Sequence, residues 1–204
     1  VVMVPIYFRL AYEEVKFIIK DSGSKIIIFG EEFKELVEKL KCDKTDLQLF
    51  LEISELGKLL KSKSLAELNV ALSSNKATKT PLFQMYTSGT TGNPKGALIS
   101  QKGIISLIEN GMDNLGPFDP NAVNLVCMPL FHIAGSAWLF FGLASGCKNI
   151  LLVDIIPDKI LDIIENFNVA TTLMVPAVIQ MVVAAAEKNN KILKNVKNIV
   201  FGAS

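Results

Sequence analysis

A chain of 204 residues, half of them hydrophobic, can form one large domain or two small ones around a sizeable core. Its net charge of +1 offers no electrostatic basis for binding nucleic acid or an anionic membrane. Three widely spaced cysteines, Cys42, Cys127 and Cys147, show no metal or redox pattern and fit a reducing cytosol, so a cytoplasmic location is expected.

No secretory signal opens the chain. It starts Val-Val-Met-Val and stops at Gly-Ala-Ser after an apparent strand, so both ends read as cuts through a larger protein. Mean hydropathy is +0.39, and no charged residue lies between Asn121 and Cys147. A spanning helix needs about 20 apolar residues. Asn124, Pro129, His132, Gly135 and Gly142 interrupt this run, which reads as strand, turn and buried helix rather than a transmembrane segment.

Taken in order, Val1 to Ile6 is a β-rich run with Pro5 near its end. Ala11, Val15, Ile18 and Ile19 share a helical face, with Glu13 and Glu14 in the first turn and Asp21-Ser22-Gly23 as the stop. Ile26 to Phe29 is a continuous apolar run of the kind found in parallel strands buried on both faces. Phe33, Leu36, Val37 and Leu40 predict a second amphipathic helix, and Leu47 to Ile53 a strand. Ser64 and Glu67 form a capping-box pattern before Leu65, Leu68 and Leu72, and the polar Ser73 to Thr80 run reads as a surface connector.

Leu82 to Tyr86 and Ala97 to Ile99 predict strands on either side of Tyr86-Thr87-Ser88-Gly89-Thr90-Thr91-Gly92-Asn93-Pro94-Lys95-Gly96. Ser100 can cap a helix carrying Ile104, Ile105 and Ile108, stopped near Gly111; Gly116-Pro117 and Asp119-Pro120 mark turns. Val123 to Met128 is a strand, Phe131 to Ser145 an apolar helix closed by Gly146, and Ile150 to Val153 another strand. Pro157 suits the first turn of a helix bearing Ile160, Ile163, Ile164 and Phe167. Thr171 to Val175, a helix from Pro176 through Ala186, and a strand over Asn198 to Phe201 complete the chain. The alternation argues an α/β fold around a largely parallel sheet flanked by helices.

The Tyr86 to Gly96 stretch carries the chemistry. Its glycines permit tight turns and close approach of backbone to a ligand. Successive N–H groups and hydroxyls, with the mobile charge of Lys95, form a concave donor surface suited to phosphate. It is not the P-loop of NTPases, because Pro94 precedes Lys95, Gly96 follows it, and a strand rather than a helix comes next. A plain Gly/Thr-rich hairpin turn is the alternative reading of the composition.

The full string resembles the T-S-G-T-T-G-x-P-K-G signature of the adenylate-forming superfamily, which includes acyl-CoA synthetases, firefly luciferase and peptide-synthetase adenylation domains. Val4-Pro5-Ile6 with Arg9-Leu10, Asp21-Ser22-Gly23, Pro129-Leu130-Phe131-His132-Ile133-Ala134-Gly135 and Gly202-Ala203-Ser204 resemble further motifs of that family, in its order. The resemblance implies that the chain is a part, 1–204, of the large N-terminal AMP-binding domain of an acid–thiol ligase, without the C-terminal lid domain. It implies ATP-dependent conversion of a carboxylic acid to an acyl-adenylate and then to acyl-CoA, with ATP, Mg²⁺ and coenzyme A as the small molecules. By that resemblance Thr87, Ser88, Gly89, Thr90, Thr91, Gly92 and Lys95 hold the β- and γ-phosphates and Thr87 faces the metal. Gly202, Ala203 and Ser204 begin the element lining the adenine and acyl pocket.

His132, the only histidine, is either a locally satisfied polar residue at a strand-to-helix turn or part of the acid site. Amino-acid-activating relatives place Asp there, and an imidazole cannot supply that negative charge to an ammonium. The implied substrate therefore lacks an α-amine: a fatty acid, with aryl acids as the alternative. Trp138 and the Phe140-Phe141 pair read as core rather than as the wall of an acyl tunnel. Many relatives have Ser-His after the exit strand where this chain has Ser100-Gln101. The family's metal-binding Glu, ribose-binding Asp, hinge and catalytic Lys are absent before Ser204, so the 204-residue piece is not expected to complete adenylation alone. Peripheral membrane association of the larger protein is compatible with this reading. The competing class is a truncated, non-catalytic module that binds nucleotide, acyl chains or a partner.

Overall fold

Strands alternate with helices along the whole described chain, which in this computed structural model comprises residues 1–62, 80–87, 93–115 and 118–202. Packing divides it into two units, Val1–Lys102 and Gly103–Ser204.

In the first unit, helix α1 (Tyr12–Ser22) buries Val15, Ile18 and Ile19. The Glu14 carboxylate reaches back to the Ala11 N–H at 2.8 Å, satisfying a donor that the helix start leaves open. At the other end Gly23 takes φ +62, and the N–H groups of Gly23 and Ser24 donate to Lys20 and Ile19 carbonyls at 3.2 Å. This is the left-handed glycine stop that the Asp21-Ser22-Gly23 string predicts. Strand β1 (Ile26–Phe29) pairs in parallel with β2 (Leu49–Glu52). Between them a 3₁₀ turn, Glu31–Phe33, leads into α2 (Lys34–Cys42). Val15, Ile19 and Leu40 form the core that joins α1 and α2, with Ile27 and Leu47 packed on it.

Three expectations are corrected in this unit. Ile26 and Ile28 are 53% and 51% exposed, so β1 is buried through Ile27 rather than on both faces. The apolar start of the chain forms a single parallel bridge, Met3 to Phe83, rather than a strand. The strand expected to reach Ile53 ends at Glu52, where α3 (Ile53–Ser62) begins with Glu55 in its first turn. The Ser64 and Glu67 capping pattern and the connector over 73–79 lie outside the described residues.

Strands β3 (Pro81–Thr87) and β4 (Lys95–Ser100) pair antiparallel, with Phe83 and Met85 buried. Helix α4 (Gln101–Leu115) follows Ser100 directly and runs on through Gly111 instead of stopping there. Gly111 serves close packing: an added Cβ would lie 2.6 Å from the Phe141 ring.

The second unit is built on a four-stranded parallel sheet in the order β6-β5-β7-β8. Its strands are β5 (Val123–Val126), β6 (Lys148–Leu151), β7 (Val169–Met174) and β8 (Asn198–Phe201). Three helices alternate with them: α5 (Ile133–Ala144), α6 (Pro157–Asn166) and α7 (Pro176–Lys188). Prolines open α6 and α7 at the one helical turn whose N–H groups need no intrahelical acceptor. On one face of the sheet, Leu125, Val169 and Met174 pack against Ile160, Leu161, Ile164, Val178 and Val182 of α6 and α7. On the other, Val126 meets Trp138 and Phe141 of α5 together with Phe118. Trp138 and Phe141 stack at 5.7 Å with Phe118 edge-on to both, so these aromatics are core. Among the described residues no helix is long and apolar enough to cross a membrane.

Candidate active site

Thr87 ends β3 and Lys95 opens β4, and the two are cross-strand partners. The hairpin therefore brings the first hydroxyl and the lysine of the phosphate-like string to one mouth. Ser88, Gly89, Thr90, Thr91 and Gly92 lie outside the described residues. Thr87, Asn93 and Lys95 are all exposed, and among the described residues no carboxylate pairs with the Lys95 ammonium. An uncommitted cation beside a hydroxyl suits an incoming polyanion.

One step below that mouth, Tyr86 is partnered with Gly96. A Cβ at position 96 would come within 2.9 Å of Tyr86 Cζ and 2.5 Å of Gln84 Nε2. A side chain at position 96 would thus collide with Tyr86 and Gln84 across the hairpin. The Tyr86 hydroxyl donates to Asp21 Oδ2 at 2.6 Å and accepts from Gln84 Nε2 at 3.0 Å. Burial, and then the Asp21 carboxylate, push the Tyr86 phenol well above its ordinary range, so it stays a donor. The Asp21 partnership was not legible in the sequence, since 65 positions separate the two residues.

His132 and Gly202 belong to the second unit. His132 is the N-cap of α5 in extended conformation, and its Nδ1 accepts from the Ala134 N–H at 3.2 Å. An accepting Nδ1 places the ring proton on Nε2, a tautomer inferred from the hydrogen bond. The local satisfaction offered as the bland reading of His132 is therefore present on one ring nitrogen, and the exposed ring keeps a second polar edge. Its setting is rigid. The His132 N–H donates to the Pro129 carbonyl at 3.1 Å, and the Ser136 hydroxyl donates to the Leu130 carbonyl. A Cβ on Gly135 would lie 2.3 Å from the carbonyl oxygens of both Met128 and Pro129. Gly135 is legible in the sequence as a break in the apolar run and as part of the quoted motif, whereas Ser136 carries no such signal.

Gly202 follows β8 and is exposed, with open space where a Cβ would be; Ala203 and Ser204 lie outside the described residues. Because the sheet is parallel, the His132 loop after β5 and Gly202 after β8 leave it at the same carboxyl edge. That edge is where open α/β sheets bind ligands. Gln101 is the first residue of α4, and its N–H donates to the Thr80 carbonyl at 3.1 Å. Among the described residues no cluster of three or more His, Cys, Asp or Glu could hold a metal alone. Thr87 Oγ1 fits the lesser demand of a phosphate-bridging cation, which takes one or two protein oxygens.

The first unit carries the Thr87–Lys95 hairpin and the second a parallel α/β sheet, and comparison with known proteins gives the class. The chain belongs to the family of AMP-binding enzymes, whose profile matches residues 1–204. It is 27% identical over its full length to a fatty acid–[acyl-carrier-protein] ligase, ScoC, of Streptomyces coeruleorubidus, covering 39% of that protein. It is 29% identical over 87% of its length to the long-chain-fatty-acid–CoA ligase FadD13 of Mycobacterium tuberculosis, covering 35% of it. Among solved structures, the inhibitor-bound N-terminal domain of FACL13 from Mycobacterium tuberculosis superposes with a TM-score of 0.84 at 25% identity. That match covers 98% of this chain and 50% of the other. The chain thus spans well under half the length of these two curated relatives.

Proposed function

We propose that the protein carrying this chain activates a carboxylic acid, foremost a fatty acid, in two steps. A carboxylate oxygen attacks the α-phosphorus of ATP, the bond to the β-phosphate bridge breaks, and pyrophosphate leaves with acyl-adenylate formed. The thiol of coenzyme A then loses its proton, its sulfur attacks the acyl carbon, and AMP departs. The observation that carries this reading is the Thr87–Lys95 pair at the mouth of the β3–β4 hairpin, within a chain whose AMP-binding family match is end to end.

In this reading Thr87, Lys95 and the Ser88 to Gly92 segment between them hold the leaving phosphates. Positioning and charge stabilisation supply most of the first step's acceleration. Thr87 is the residue that would meet Mg²⁺, which when bound would neutralise phosphate charge. His132 donates from Nε2 toward the acid and offers nothing to an ammonium, so acids without an α-amine are preferred. Gly202, Ala203 and Ser204 line the adenine and acyl side. Both units are read as parts of one large N-terminal AMP-binding domain. The names of ScoC and FadD13 support fatty acids over aryl acids as first choice, and a cytoplasmic setting suits ATP and coenzyme A as co-substrates.

The test is ATP–pyrophosphate exchange by the full-length protein across a panel of fatty, aryl and amino acids, with Lys95→Ala alongside. Exchange should be supported by fatty acids and fall about a hundredfold in the variant, the order of loss for one electrostatic donor at a reacting centre. Exchange with amino acids alone would sink the reading of His132. An unaltered Lys95→Ala enzyme would sink that of the hairpin.

A further inference from the structure

Asp21 belongs to a motif that the chemistry above leaves without a task. It sits in the last turn of α1, where the backbone is held firmly. Gly23 turns the chain at φ +62, the Ser22 hydroxyl donates to the Ile19 carbonyl at 3.2 Å, and Ser22 and Ser24 hydroxyls lie 2.7 Å apart. Ile18 and Ile19, each 1% exposed, root this end of the helix in the core. A carboxylate on so fixed a base is a rigid acceptor, and it receives the Tyr86 hydroxyl at 2.6 Å.

Tyr86 is in turn pinned from two other directions. Gln84 donates to its hydroxyl at 3.0 Å, and its ring lies across Gly96 so closely that no Cβ fits there. The Tyr86–Gly96 pair is adjacent in register to Thr87–Lys95. Any rotation or slip of Tyr86 would therefore move the two residues at the mouth of the hairpin.

We infer that Asp21 is a positioning residue, which fixes the register and orientation of the Thr87–Lys95 mouth through Tyr86 so that the hairpin meets polyphosphate preformed. The inference rests on the reading of that hairpin as the ATP-phosphate site. It assigns Asp21 the task of a hydrogen-bond acceptor and not of a charge, since a carboxylate's own field opposes a polyanion. Asn keeps a carbonyl oxygen for the Tyr86 hydroxyl, whereas Ala does not. Preorganisation of a site shows mainly as affinity for what binds there.

The experiment measures KM for ATP, kcat and thermal stability of the full-length protein in Asp21→Ala, Asp21→Asn, Tyr86→Phe and the Asp21→Ala/Tyr86→Phe double variant, with Lys95→Ala as reference. Tyr86→Phe removes only a hydroxyl and keeps the ring on Gly96, so it tests the link even where Asp21→Ala folds poorly. Expected are a rise in KM for ATP of about tenfold in Asp21→Ala and Tyr86→Phe, no further rise in the double variant, and recovery to within about twofold in Asp21→Asn. KM for the acid should stay unchanged in all of them. If Lys95→Ala raises KM for ATP while Asp21→Ala and Tyr86→Phe lower only thermal stability, the positioning role is wrong and the phosphate site stands. Additive effects of the two single variants would equally overturn it. Should Lys95→Ala itself leave KM for ATP unchanged, the phosphate reading fails first and this inference with it.

Discussion

Asp43 shows how one side chain can tie two helices of the first unit. It follows the last residue of α2 and accepts from Lys16 Nζ at 2.8 Å and from the Tyr12 hydroxyl, both on α1. The Lys16 hydrogen bond first, and that of Tyr12 next, hold the Asp43 carboxyl below the usual carboxylate range. The same bond holds the Lys16 ammonium above its ordinary range. The sign follows from linkage. The share of stability carried by Asp43 is present above its unfolded value of about 4 and lost as pH falls through the lower folded value. That of Lys16 is present below about 10.4 and lost as pH rises through the higher folded value. Between these limits the tie is fully made. Urea midpoints of the wild type and Asp43→Asn should therefore differ most near neutral pH and converge as the pH is lowered below about 4. A gap that stays constant down to pH of about 2 would show that the carboxylate's charge contributes nothing to the tie.

At the level of elements, the packing of α5 against the turn that follows β5 depends on a missing side chain. Gly135 lets the first turn of α5 approach the Met128 and Pro129 carbonyls, to which a Cβ would come within 2.3 Å. Backbone oxygens cannot swing aside as a side chain can. Gly135→Ala should thus cost about 3 kcal/mol, the upper end of ordinary overpacking penalties, and displace His132 from its capping position. Equilibrium urea unfolding at unchanged m-value measures it. A loss under about 1 kcal/mol would mean that α5 simply shifts to make room. Elements of this kind were legible where local rules decide them. The Gly23 stop, the Pro157 and Pro176 starts and the Ile26 to Phe29 strand all followed from residue type. Ile53 was misassigned because a β-branched residue after an apolar strand carries no local sign of a helix start. Gly111 reads as a stop in sequence because its partner, the Phe141 ring, is remote.

For the whole molecule, the alternating α/β order was legible because hydrophobic periodicity changes between elements, yet strand pairing was not. Only the short turn between Thr87 and Lys95 pointed to an antiparallel pair; the order β6-β5-β7-β8 has no local signal. That Thr87 and Lys95 meet was readable because only a short string separates them. The contact of Asp21 with Tyr86 was hidden because it is long-range. The sheet of the second unit carries one further consequence. Among the described strands β6 and β8 are its edges, and both present apolar side chains to solvent. Leu151 is 50% and Val153, just beyond β6, 87% exposed; Ile199 and Phe201 of β8 are 39% and 69% exposed. Edge strands with uncovered apolar residues offer unpaired backbone groups and hydrophobic area together, the two ingredients of strand-to-strand association. The 204-residue chain expressed alone should accordingly self-associate. Its sedimentation coefficient should rise with concentration, and Val153→Lys with Phe201→Lys should return it to a single monomer peak by placing like charges on both edges. A wild-type chain that sediments as a monomer at every concentration would show that these edges are too short or too twisted to pair.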